Sequence, residues 1–408
     1  MINKKILIYC GGGIFPIEGM HQVRILNQIK SLSKNHTVDC MFLYTKNNHK
    51  IESINGLSSF CRNIIPYRTF SQSFAFRLIK RLFLNKIYEY IAFPLDFFTL
   101  SNTITAKSIA RDIKKGDYDI IIAHYWQASG FLKYLPHNIL KCIDTHYLVE
   151  ENLDLYYKGM YRHIDNGRLE KLLKKELVLQ NACFENADLL IVNSHAQKDI
   201  LGKKGSYHPI CIPNGQALEA YLEYHNNHDE KDNNLLFYGA LSNQFNLKAL
   251  DRILKNIWPK IQKVYPDTKF IIMGSSPPTW LQTLATDNPS IIVTGFVEDV
   301  RSIFKKCSVC LLPLESGSGF RGRTVELLAS GVPVVGTTNA LQSVQISHEI
   351  NGVIADTDEG LIQWTLKLLE DKVLYQRLSL AGKVFAKDNY SLEATFGKLS
   401  KYLAEVKT

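Results

Sequence analysis

The stretch Val309–Thr337, VCLLPLESGSGFRGRTVELLASGVPVVGT, constrains the fold more than any other part of the chain. Its first run, Val309 to Leu314, is apolar throughout, the pattern of a strand buried on both faces of a parallel sheet. Pro313 falls near the end of that run, where a missing ladder donor costs least. Gly317 and Gly319 flank Ser318, so the backbone can turn tightly and approach a ligand. Thr324–Ser330 has apolar residues at helical spacing, Gly331 stops it, and Pro333 bars its continuation. Strand, glycine-rich loop, short helix, glycine stop and strand follow in that order.

A glycine-rich loop that opens a helix at the carboxyl end of a parallel strand is an anion site. Free backbone N–H groups and the helix dipole both face the ligand. This loop adds Arg321 and Arg323, fixed positive charges suited to a phosphate or diphosphate. Glu326, one turn further on, can accept hydrogen bonds from ribose hydroxyls. The alternative is an ordinary strand–helix connection whose arginines are merely solvated.

At 408 residues the chain is long enough for two domains, and 46% hydrophobic with 21% charged residues is the balance of a globular protein. The net charge of +9 is compatible with nucleic acid, an anionic membrane or acidic substrates and selects none of them. Nucleic-acid binding gains nothing beyond that charge. The eight cysteines are scattered, mostly in strand-like runs, and read as buried free thiols in a reducing compartment. Cys307 and Cys310 are a CxxC with no second ligand pair, so packing outweighs zinc or redox chemistry. No secretory leader and no membrane-spanning run is visible, and a cytoplasmic protein is expected.

Strand-like and helix-like segments alternate along the whole sequence. The strands are Lys5–Cys10, Thr37–Tyr44, a weak one near Ile64 and Ile65, Asp119–His124, Lys141–Thr145, Asp188–Val192 and Pro209–Ile212. Helices are expected over His21–Leu32, with Val23, Leu26, Ile29 and Leu32 on its apolar face, Thr103–Lys114 and about Arg162–Glu185. Pro213-Asn214-Gly215 is a strong turn, and Asn226–Asn234 is nearly devoid of apolar residues, so a boundary falls there. A second series follows: Leu235–Tyr238, Phe270–Met273, Ile291–Val293, Val309–Leu314, Val332–Val335 and Val353–Ala355, with a helix over Lys248–Tyr265. The tail from Gly360 is helical, with Ser391 as a cap and Glu393 in its last helix's first turn. The fold class is α/β, two doubly wound parallel sheets.

These segments carry short signatures in a familiar order: KILIYCGGG, IDTH (143–146), ADLLIVNS (187–194), IPNG (212–215), LLFYGALSNQFNLKALDRILKNIWPKI (235–261), FIIMG, VTGFVEDVRSIF (293–304) and the loop PLESGSGFRGRTVELLASGVPVVGT. The chain resembles the GT-B glycosyltransferases of the glycogen synthase-like, sugar-retaining group, also called glycosyl transferases group 1. The resemblance spans nearly the whole sequence and is weakest over 45–110. It implies two Rossmann-like domains facing a central cleft, an acceptor-side domain over 1–215 and a nucleotide-sugar domain over 216–388. A C-terminal helix, 389–408, would pack back on the first. It further implies transfer from a UDP- or GDP-sugar with retained anomeric configuration and without a metal or other cofactor. No DxD-like carboxylate pair is placed to hold a divalent ion.

By this resemblance Glu326 matches the second glutamate of a paired signature, the one that holds the ribose. The first glutamate would fall at Ser318, and Glu315 is three residues early. The family's phosphate clamp after the domain's first strand is missing, because Gly239 is followed by Ala240. Arg321 and Arg323 resemble a subgroup's loop arginines and would take over the diphosphate. Gly239 and Gly274 end strands where a small residue lets a nucleotide approach, with strand-end packing as the alternative. Gly295, Phe296 and Val297 match the segment that lines the base. Gly317, Ser318, Gly319, Phe320 and Thr324 complete the donor loop. In the first domain Gly12 and Gly13 resemble the loop near the donor phosphates, and His146 matches a histidine that reaches the donor sugar, here followed by Tyr147. Asp144 orients that loop rather than acting as a base. His146, Arg321 and Glu326 are the expected catalytic residues.

Residues 74–98 interleave Arg77, Lys80, Arg81 and Lys86 with apolar side chains. This is either a membrane-surface segment serving a lipid-linked or glycan acceptor, or a core helix with snorkelling charges. The leading function is a retaining glycosyltransferase of cell-surface polysaccharide assembly: lipopolysaccharide, capsule or exopolysaccharide. A sugar-nucleotide epimerase of the same fold and a non-catalytic subunit are the alternatives.

Overall fold

The computed structural model describes residues 3–17, 19–44, 47–67, 103–157, 167–223, 233–315 and 320–406. Residues 74–98 and the loop glycines Gly317 and Gly319 with Ser318 lie outside the described residues. The chain forms two units, Met1–Gly215 with Thr395–Thr408, and Gln216–Ala394.

The first unit is built on seven strands: β1 (Lys5–Cys10), β2 (Thr37–Leu43), β3 (Asn63–Tyr67), β4 (Ile120–His124), β5 (Leu140–Asp144), β6 (Leu189–Val192) and β7 (Ile210–Cys211). Their order is β3-β2-β1-β4-β5-β6-β7, and every pairing is parallel. The unbroken apolar runs of β1 and β4 follow from burial on both sheet faces. Strand order reverses between β1 and β4, and ligands of open α/β sheets bind at the carboxyl ends there. Register puts Cys10 level with His124, and His124 level with Asp144. Gly11–Gly13 and His146 therefore leave the sheet from the same edge.

Helix Met20–Leu32 departs from its expected apolar face. Leu26, Ile29 and Leu32 are buried, Val23 is only half-buried, and Arg24, Asn27 and Gln28 are buried with them. The polar heads are tolerated because each finds partners: Asn27 Nδ2 donates to the Gly215 carbonyl at 2.9 Å, and Arg24 Nη1 to the Ile212 carbonyl at 2.9 Å. The closing helix Lys398–Glu405 belongs to this unit, with His36 Nε2 at 3.1 Å from the Ser400 carbonyl. Phe396 lies under the Arg24 guanidinium, 5.4 Å from its ring centre.

The second unit has six parallel strands: β8 (Asn234–Tyr238), β9 (Phe270–Met273), β10 (Ile291–Gly295), β11 (Cys307–Leu312), β12 (Val334–Gly336) and β13 (Val353–Ile354). They are ordered β10-β9-β8-β11-β12-β13, so the reversal falls between β8 and β11. Pro313 comes just past β11, and Cys307 and Cys310 are buried free thiols within it. The helix expected over Lys248–Tyr265 runs Gln244–Arg252, then a π-helical turn Ile253–Ile257, then Trp258–Val264. Pro259 has no N–H to give the Lys255 carbonyl, and the wider turn absorbs the mismatch. After β11 comes helix Gly322–Ala329, which ends at Gly331 with φ of +70°. Ser391 accepts from the Ala394 amide at 3.2 Å, as its capping role requires.

Candidate active site

In the second unit the site residues gather where strand order reverses. Helix Gly322–Ala329 buries Val325, Leu327, Leu328 and Ala329 in the core beside the sheet. That packing fixes the direction of its first turn, and with it Glu326. Tyr238, the last residue of β8, donates its hydroxyl to Glu326 Oε2 at 3.2 Å. The Arg323 guanidinium lies over the Tyr238 ring, 4.9 Å from its centre. Burial pushes the Glu326 carboxyl up to about 7, against the Tyr238 hydrogen bond and the Arg323 charge, which favour ionisation. Burial likewise lowers the Arg321 guanidinium from its ordinary value, since a desolvated cation is held less firmly. Phe320 packs on Tyr390 with ring centres 5.4 Å apart.

Thr324 is buried in the helix's first turn, at 2% exposure. Glu315, the nearest acid to the missing first glutamate, pairs with Arg252 at 3.3 Å, and Arg252 is also held by Asp358 at 2.6 Å.

Gly239, Gly274 and Gly295 line up across the carboxyl ends of β8, β9 and β10. The Gly239 amide donates to Met273 at 3.0 Å and the Gly274 amide to Gly295 at 3.1 Å. A Cβ on Gly274 would lie 1.7 Å from the Gly239 carbonyl oxygen, so strand packing alone demands glycine there. Gly295 has φ of +69° and open space around it. Phe296 follows with 79% of its surface exposed, and Val297 is half-buried.

In the first unit the site is a buried polar knot. Asp144 closes β5 with no exposed surface and accepts from Arg24 Nε and from Gln28 Nε2, each at 3.1 Å, with Arg24 Nη2 ion-paired to it at 2.9 Å. Burial alone would raise its carboxyl, but the Arg24 cation and the flanking histidines hold it down at about 2. His146 follows in the left-handed region, φ of +59°, rare for a residue with a side chain. Asn193 Nδ2 pins its carbonyl at 2.7 Å. Its ring stacks on Tyr125, centres 4.1 Å apart and planes 17° from parallel, and its Nε2 is 2.9 Å from His124 Nδ1. Burial lowers both imidazoles, His124 to about 4, so both rings are neutral near pH 7. Gly12 is open, and a Cβ added there would have nothing within 4 Å; the Gly13 carbonyl accepts from Gln22 at 3.4 Å.

Among the described residues, His124, Asp144 and His146 cluster with metal-ligand side chains. Their donor atoms are already committed: the carboxylate to Arg24 and Gln28, the facing nitrogens to each other. A buried guanidinium beside that carboxylate also opposes a second cation.

Arg24, Gln28, His124 and Tyr238 were not singled out in the sequence. Arg24 and Gln28 carry no signal there, because polar residues on an amphipathic helix look solvated. His124 and Tyr238 do carry one, each being the polar residue that closes an apolar strand.

Residues 232–371 match the family profile described as glycosyl transferases group 1. A protein from Klebsiella pneumoniae, described as an uncharacterized 44.6 kDa protein in the cps region, is 21% identical, covering 97% of this chain and 99% of that one. Among solved structures, the sucrose-phosphate synthase of Thermosynechococcus elongatus superposes with a TM-score of 0.61 at 17% identity, over 98% of both chains. Anabaena HepE, in complex with UDP and glucose, superposes with a TM-score of 0.62 at 14% identity, over 99% of this chain and all of that one. The fold is GT-B, α/β with two Rossmann-like domains. The segment 232–371 is thus similar to the group 1 glycosyltransferases, and the solved structures share the fold of the whole chain.

Proposed function

We propose that the protein is a retaining glycosyltransferase that needs no metal and moves a sugar from a UDP- or GDP-sugar to a glycan or lipid-linked acceptor in cell-surface polysaccharide assembly. The observation that carries this reading is the arrangement of Glu326, Tyr238 and Arg323 at the strand reversal of the second unit, inside the segment that matches the family. Glu326 accepts the ribose hydroxyls, and Arg321 and Arg323 with the helix N-terminus neutralise the diphosphate. Charge on the leaving phosphate grows as the glycosidic bond breaks, so fixed cations there favour the transition state over the bound donor. His146 contacts the donor sugar. The departing phosphate assists deprotonation of the acceptor, consistent with Asp144 having its lone pairs taken up by Arg24 and Gln28. The Klebsiella relative from the cps region supports a capsule-type product, and the UDP and glucose of HepE support the donor class. Buried free thiols fit a reducing, cytoplasmic setting. Residues 74–98 are the proposed membrane contact, and no helix among the described residues is long and apolar enough to cross a membrane.

The test is a thermal-shift and hydrolysis screen of nucleotide sugars in chelator, on wild type and Arg321→Ala. Stabilisation by one UDP- or GDP-sugar with slow nucleotide release, both lost in the variant, is expected. Binding without release would make the chain a non-catalytic subunit, conversion of the sugar without transfer an epimerase, and no binding would overturn the site.

A further inference from the structure

We propose that His124 is a positioning residue whose Nδ1–H donates to Nε2 of His146 and holds His146 as the tautomer with its proton on Nδ1. The two nitrogens are 2.9 Å apart, so one ring donates and the other accepts. Nε2 of His124 settles which. It is buried and meets no partner among the described residues. A proton placed there would be an orphaned buried N–H, whereas a bare lone pair there is the smaller loss. The His124 proton therefore sits on Nδ1, and His146 accepts.

Nothing packed against the pair dictates the reverse. Asp144 stands 3.9 Å from His124 Nδ1 and 4.0 Å from His146 Nε2, beyond hydrogen-bond reach, with its oxygens held by Arg24 and Gln28. Asp144 attracts a proton to His146, while Arg24, His124 and His21 repel one. The Tyr125 stack fixes the plane of the His146 ring, and Asn193 fixes its backbone. With Nε2 turned inward, Nδ1 is the donor left to the ring, and no described residue occupies it. His146 can then give a hydrogen bond to a sugar hydroxyl or a phosphate oxygen. It has no free lone pair with which to take a proton from an acceptor, which excludes it as the general base. The role toward a ligand rests on the transferase reading; the tautomer does not.

Long-range proton–nitrogen correlation spectra of the full chain with labelled histidine, assigned with His146→Gln, report the tautomer directly. Wild type at neutral pH is expected to show His146 protonated on Nδ1 with a bare Nε2. His124→Asn, whose amide N–H takes the place of Nδ1–H, keeps that state, and His124→Leu lets the second tautomer appear. A wild-type His146 carrying its proton on Nε2 overturns the proposal, and so does an unchanged tautomer in His124→Leu. If the leucine variant does not fold, wild type and His124→Asn still decide. Titration with a nucleotide sugar is read separately: His124→Leu should weaken binding by about tenfold, with His124→Asn restoring it. If wild type binds no nucleotide sugar while the tautomer is as stated, the transferase reading falls and the positioning role stands.

Discussion

Two glycines assigned to the donor site obey different constraints. An alanine methyl at Gly274 would lie 1.7 Å from the Gly239 carbonyl oxygen, backbone against backbone, with no flexible neighbour to move aside. At Gly12 the same methyl meets nothing within 4 Å, and the backbone is outside the left-handed region. Gly274→Ala should therefore cost about 1–3 kcal/mol in urea unfolding, and Gly12→Ala should stay within about 0.5 kcal/mol of wild type. If Gly12 is kept small for a ligand, Gly12→Ala will still lose nucleotide-sugar affinity at unchanged stability. Equal affinity for both proteins would remove Gly12 from the donor site. Spacing along the chain assigns both glycines one role, because the neighbour that separates them comes from another strand.

Strands were easier to read than the groups between them. Mostly apolar runs such as KILIYC and CSVCLL read as central parallel strands, because burial on both faces leaves few polar positions to blur them. Even the short pair Ile64 and Ile65 lies in β3. Helix Met20–Leu32 hid its chemistry, because a polar residue satisfied by Ile212, Pro213 and Asp144 looks in sequence like one satisfied by water. Helix Gly322–Ala329 carries its own pH dependence. The Glu326 carboxyl titrates at about 7 in the folded chain, above its ordinary value. The folded state thus binds the extra proton between the two values, and stability falls as pH rises through that window. Glu176, also pushed up to about 7 by burial, adds to the same slope. Denaturant unfolding from about pH 5 to about pH 8 should show wild type losing roughly 1–3 kcal/mol more than Glu326→Gln, which keeps an acceptor for Tyr238 without the charge. Parallel curves for the two proteins would place Glu326 in water.

At the scale of the molecule, the chain leaves its first unit after Gly215 and returns to it at Thr395. The returning segment is structural: Phe396 covers Arg24, and Thr395 fills the space beside Gly215, where a Cβ would come within 2.0 Å of its hydroxyl. Deleting residues 395–408 should raise hydrogen exchange in helix Met20–Leu32 and β2 while leaving β8 to β13 protected. Uniform loss across both sheets would mean the tail stabilises the whole chain. Synthesis imposes an order on the same arrangement. At ~5–20 residues per second a ribosome delivers all of Gln216–Ala394 before the last strip of the first unit emerges. The unit begun first is thus completed only after the second has been made, with Arg24 waiting for Phe396 until then.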